Sequence, residues 1–76
     1  MNFFVTRLNE LIVNCGKPQI EICKELGIYK QKLSRWKTGV TKPNLDDLIL
    51  LATYFNVSID YLLGLEDETG TKNKLH

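Results

Sequence analysis

The four residues 25–28, ELGI, constrain the fold more than any other stretch of the chain. Leading into them, Ile22 and Cys23 fall with Leu26 of the stretch itself on one side of a helix. After them, Leu33 and Trp36 do the same on a second short helix. Between the two stands Gly27, the one residue type that enters a positive φ without steric cost. A chain of this form must bend sharply and cross two helices at close range. The contact position on the first helix must then be small, and Cys23 occupies it. Ile28 points back towards the core, and Leu33 and Trp36 pin the second helix. Its remaining face carries Lys30, Gln31, Lys32, Ser34 and Arg35. Two short helices about a tight turn, the second polar and cationic outside, make the sequence form of a helix-turn-helix.

The flanking segments supply the rest of an all-α domain. Phe4, Leu8, Leu11, Ile12 and Cys15 form one apolar stripe at helical spacing, with Asn2 as the expected N-cap and Gly16 as the stop. Pro18 fits the first turn of the second helix, where its missing N–H costs nothing. The third helix is expected from about Lys30 to Lys37, and the loop from Thr38 to Pro43. Asn44 then caps a fourth helix, with Asp46 and Asp47 in its positive first turn and Leu48, Leu51, Ala52 and Phe55 inside. Ser58 caps a short fifth helix through Leu63, closed by Gly64. Residues 1–65 are thus expected to form one compact five-helix domain, and residues 66–76 a polar tail. The chain of 76 residues holds one domain, with a core small enough that an oligomer would help it.

Charge is divided along the chain. Formal net charge is only +1, yet residues 17–42 hold seven cations against Glu21 and Glu25. Residues 43–69 hold Asp46, Asp47, Asp60, Glu66, Asp67 and Glu68 with no cation. One face can meet a polyanion while the remainder is repelled by it. Two cysteines make no disulfide framework, no apolar run spans a membrane, and no secretion signal opens the chain. A reducing cytoplasm is the expected compartment.

In the run "PQIEICKELGIYKQKLSRWKTGVTKPNLDDLILLATYFNVSIDYLLG" five motifs follow in order: Gln19 opening helix two, "ELGI", "LSRWKTG", "KPNLDDL" and "LATYFNVSIDYLLG". Over residues 3–64 the chain resembles the lambda-repressor and Cro-like helix-turn-helix domains, also called the xenobiotic-response-element family. The resemblance implies a five-helix DNA-binding domain of a bacterial or phage transcription regulator, a repressor by preference. It implies that Gln19 reaches a phosphate or the adjoining base. Lys30, Gln31, Lys32 and Arg35 would face base edges and flanking phosphates, with Ser34 beside them. Thr41 and Lys42 would meet the backbone. Three departures stand out. Tyr29 occupies a position where Ser or Thr usually caps helix three, so its ring would instead pack on a sugar or a thymine methyl. Ile12 and Lys37 replace an Arg–Glu pair, which leaves no half of it buried alone; the Lys37 ammonium would reach water or a phosphate. Cys23 replaces an alanine.

The remaining chemistry-bearing residues have plainer readings. Trp36 lies on the Leu33 side and is an anchor rather than a stacking platform. Cys15 and Cys23 each lie on an apolar face and are read as packing rather than a redox or metal pair. His76 is solvated. Asp46 and Asp47 compensate a helix dipole rather than form a catalytic pair, and no nucleophile, base and oxyanion donor occur together. No catalytic residue, metal or cofactor is expected. The expected partner is a near-palindromic double-stranded operator, bound by two copies with half-site centres ~34 Å apart. Tyr61, Leu63 and Leu65 exceed what one short helix buries, and are expected to form the homodimer contact at the far end from the basic face or to one side of it. The rival is a protein-interaction module such as an antitoxin or adaptor, with the acidic stretch from Asp60 to Glu68 as its surface.

Overall fold

In a computed structural model, which describes residues 3–65, five helices follow one another: α1 (Phe3–Cys15), α2 (Gln19–Leu26), α3 (Lys30–Thr38), α4 (Leu45–Phe55) and α5 (Ile59–Leu62). No strand occurs among the described residues. Asn2 and residues 66–76, where the expected cap and tail fall, lie outside them.

Each helix lends its apolar face to one core. Phe4, Leu8 and Ile12 come from α1, Ile22, Cys23 and Leu26 from α2, and Leu33 and Trp36 from α3. Leu51 and Ala52 come from α4 and Leu62 from α5, while Leu48, Phe55 and Ile59 pack half-buried at its margin. No polar or charged residue is buried among those described. The core therefore carries no desolvation cost of an unpaired polar group. Trp36 is fully buried, as an anchor must be.

The expectations at Cys15 and Pro18 need correction. Cys15, the last residue of α1, is exposed, not packed; its thiol donates to the Ile12 carbonyl. Pro18 sits one residue before α2, as its N-cap, with extended backbone. Its carbonyl still accepts from the Glu21 and Ile22 amides at 3.0 and 3.2 Å, so it opens the helix from outside.

Helix ends explain the boundaries. Asn44 Oδ1 accepts from the Asp47 amide at 2.8 Å and Asp47 Oδ2 accepts from the Asn44 amide at 3.2 Å, a closed capping box on α4. Ser58 Oγ accepts from the Tyr61 amide at 2.9 Å to open α5. Helix α5 stops at Leu62, one residue earlier than expected, with Leu63 as its C-cap. Gly64 follows with φ 80°, and a Cβ there would strike the Phe3 ring. This second demand ties the end of α5 to the start of α1. Arg7 closes the same junction: its Nη1 donates to the Tyr61 carbonyl at 2.8 Å, and its guanidinium lies 4.1 Å from the Tyr61 ring centroid.

Candidate nucleic-acid interface

The turn between α2 and α3 is built on Gly27, at φ 71° and ψ 33°. Its N–H bonds to Cys23 and Lys24 carbonyls, and the Ile28 amide reaches the Cys23 carbonyl at 3.0 Å. The last carbonyls of α2 are thereby satisfied while the chain reverses. Cys23 is 4% exposed, consistent with a close crossing at that position.

Helix α3 starts without a side-chain cap. Tyr29 has extended backbone at the N-cap position, its ring makes no capping hydrogen bond, and it is 82% exposed. From there the two faces separate. Leu33 and Trp36 are buried; Lys30, Gln31, Lys32, Ser34 and Arg35 are all exposed. At the other end Gly39 is left-handed, and the Val40 and Thr41 amides return to the Arg35 carbonyl at 3.0 and 3.5 Å. That return folds the loop back along α3 and brings Thr41 and Lys42 beside Arg35.

One shallow depression is lined by Tyr29, Gln31, Lys32, Arg35, Thr41 and Lys42, together with Trp36, Asn44 and Asp47. A second, beside it, is lined by Lys30, Gln31, Ser34 and Arg35. Eight of the nine residues singled out in the sequence thus share one continuous surface. The ninth, Gln19, opens α2 and meets α3 from the side: Lys37 Nζ donates to its Oε1 at 2.7 Å. The Lys37 ammonium therefore rests on Gln19.

The cations of this surface are not equivalent. Lys32 Nζ lies 3.3 Å from Asp47 Oδ1 and 5.4 Å from the Trp36 ring centroid. Asp47 divides its carboxylate, one oxygen capping α4 and the other holding Lys32. Among the described residues, Lys30, Arg35 and Lys42 have no such carboxylate. Their charge is available to an external anion, and Lys32 would first have to leave its own. Sequence reasoning missed this tie. Asp47 was legible as a helix-terminal acid, but no spacing rule links it to Lys32 fifteen residues earlier.

Behind the surface, Lys17 Nζ bonds both Glu25 oxygens at 2.9 and 3.1 Å, and the Tyr54 hydroxyl donates to Glu25 Oε1. The hydrogen bond from Lys17, then that from Tyr54, hold the Glu25 carboxyl below its usual range. The hydrogen bond to Glu25 raises both Lys17 and Tyr54. This cluster joins α2 to α4 and steadies the first helix of the motif.

Tyr61 and Leu65 are half-buried and Leu63 is 41% exposed. Leu63 lines a groove with Phe3, Phe4, Leu48 and Pro43 that runs up to Thr41 and Lys42. The apolar patch thus lies to one side of the basic surface, next to its loop.

Residues 8–62 match the helix-turn-helix family. The chain belongs to that family. The likeness to lambda-repressor and Cro-like domains holds on this match. This helix-turn-helix chain is 38% identical over 68 residues to the HTH-type transcriptional regulator ImmR of Bacillus subtilis, covering 90% of this chain and 53% of ImmR. It is 28% identical over 64 residues to the HTH-type transcriptional activator BcrR of Enterococcus faecalis, covering 84% of this chain and 31% of BcrR. A solved transcriptional regulator from Listeria innocua superposes with TM-score 0.74 at 35% identity, over 86% of this chain and 61% of that one. The SOS-response repressor LexA from Eubacterium rectale gives 0.78 at 30%, over 97% and 77%. The helix-turn-helix chain spans about half the length of ImmR, and less of BcrR.

Among the described residues no group of His, Cys, Asp and Glu could hold a metal ion, and no helix is long and apolar enough to cross a membrane.

Proposed function

We propose that the chain is a sequence-specific double-stranded DNA binder that regulates transcription, acting as a repressor. It lays α3 in the major groove. The observation that carries this reading is the gathering of Lys30, Gln31, Ser34 and Arg35 on one exposed helix face, with Thr41 and Lys42 folded beside them. Arg35 and Gln31 carry the hydrogen-bonding groups that discriminate base edges, guanine by a bidentate guanidinium and adenine by an amide. Lys30, Lys42 and Thr41 suit phosphates. The Tyr29 ring, exposed at the start of α3, packs on a sugar or a thymine methyl.

One domain of this size contacts few base pairs, so two copies bind a near-palindromic operator. The groove at Leu63 and the adjoining Tyr61 and Leu65 form the contact between copies. The relatives include an activator and a repressor by name.

Titration of mixed-sequence duplex DNA over a range of salt tests the reading. A groove binder loses affinity linearly in log–log form as counterions are released, with a slope of about −0.9 per neutralised phosphate. An adaptor or antitoxin with a protein partner would give weak binding and no such slope, and that result would refute the proposal.

A further inference from the structure

We propose that Asp47 limits the affinity of the chain for DNA: its fixed carboxylate cancels Lys32 on the DNA-facing surface, so that Lys32 adds nothing net to the hold on the backbone. The inference rests on the DNA-binding reading above. Asp47 lines the same depression as Lys32, Arg35, Thr41 and Lys42, and among the described residues it is the one acid lining either depression of that surface. Lys32 Nζ lies 3.3 Å from its Oδ1. An acid set among cations that meet a polyanion works against the contact, because it repels each phosphate brought there.

The carboxylate is held in place. Its Oδ2 accepts from the Asn44 amide at 3.2 Å, and the Asp47 amide donates to Asn44 Oδ1 at 2.8 Å, so the capping box pins it at the start of α4. The Asp47 side chain is 15% exposed, and salt screens it less than a fully solvated charge. Lys32 is the movable partner, more exposed, with its ammonium 5.4 Å from the Trp36 ring centroid. An exposed lysine is held weakly by such a pair. A phosphate seated by Thr41 and Lys42 can therefore draw the ammonium to itself, and Asp47 is then left facing that phosphate without its cation. If Lys32 stays, the phosphate meets a neutral pair. In both cases the two charges sum to zero at this place. Asp46 supplies the comparison: it stands one residue earlier in the same helical turn, exposed, and lines neither depression.

The test measures the affinity of the full chain for mixed and selected duplexes over a range of salt. The variants are Asp47→Asn, Asp46→Asn and the double variant Lys32→Met with Asp47→Asn. Asparagine keeps a side-chain oxygen for the Asn44 amide and loses the charge. Asp47→Asn is expected to bind both duplexes more tightly at low salt and to steepen the salt slope by about one unit. Its advantage over the parent should shrink about threefold over a roughly fourfold rise in salt. Base preference should not change. Asp46→Asn should keep the slope of the parent, and the double variant should return to it. A parent-like slope in Asp47→Asn, or equal steepening in Asp46→Asn, would overturn the proposal alone. So would a double variant about one unit shallower than the parent, which would show Lys32 holding a phosphate independently of Asp47. An altered base preference in Asp47→Asn would mean that Asp47 meets a base edge, and overturns it equally. Should Asp47→Asn not fold, Asp47→Gln takes its place, since glutamine also closes a capping box. A parent that binds no duplex overturns the DNA-binding reading, and the role of Asp47 with it.

Discussion

Arg35 and Gln31 stand four residues apart on the exposed face of α3, one turn above the other, with Leu33 and Trp36 holding the opposite face. If both enter the groove, Arg35→Ala and Gln31→Ala should each cost about 1–3 kcal/mol of specific binding and relax preference at a particular base pair. Competition binding on single-base variants of the selected site checks this; parent-like discrimination in both would show that the face is misassigned. Tyr29 makes a different prediction. It occupies an N-cap with suitable backbone yet makes no capping hydrogen bond. Tyr29→Ser should supply the cap and add about 1 kcal/mol of stability, a rise of about 4–8 °C in melting temperature for a domain of this size. The same change should weaken DNA binding, since the exposed ring is lost. A melting curve with no gain would mean that α3 is already held by its packing. At this scale the chemistry was legible where a residue type has one plausible use, as with Gly27 or the Asn44 cap. It was not legible where a side chain chooses between partners, as Lys32 chooses Asp47 and Lys37 chooses Gln19.

The helix-turn-helix pair is steadied from outside by contacts between elements. Glu25 on α2 accepts from Lys17 in the α1–α2 loop and from Tyr54 on α4. Its carboxyl is held below the usual range in the folded chain, chiefly by Lys17. Stability from this group is therefore complete above the unfolded carboxylate pKa of about 4.3, and is lost as pH falls through the lower folded value. The raised Tyr54 and Lys17 act in the opposite sense: their share is complete below their unfolded pKa values and is lost as pH rises through the folded ones. All three lie at the surface, so the effect is small and weakens with salt. Glu25→Gln is expected to flatten the acid limb of a plot of melting temperature against pH at low ionic strength. Parallel acid limbs for parent and variant would show that the cluster does not contribute. Periodicity revealed these helices and their inner faces because apolar spacing reports burial directly. It overstated Cys15, which continues the apolar spacing at the last residue of α1 yet is exposed. It said nothing of Lys17, Glu25 and Tyr54, whose meeting depends on how α4 crosses α2.

The molecule as a whole sets a basic surface beside an apolar one. The groove at Leu63 adjoins the Thr41–Lys42 loop, so two copies joined there would carry their α3 faces side by side. Leu63→Asp and Leu65→Asp should leave the monomer folded, since neither side chain is fully buried, and should abolish dimers in sedimentation with and without operator. Folded variants that dimerise like the parent would place the contact elsewhere. The architecture was readable because five motifs occur in family order, and the pairing of surfaces was not, because it depends on where α5 meets α1. Everything at this scale rests on α3 reading DNA. Selection of bound fragments from a random duplex library tests that most directly. The account predicts enrichment of one near-palindromic site with half-site centres ~34 Å apart, bound more tightly than mixed duplex and lost from the enriched pool when the selection is repeated with Arg35→Ala. A pool that stays random, or one that Arg35→Ala enriches identically, would contradict it.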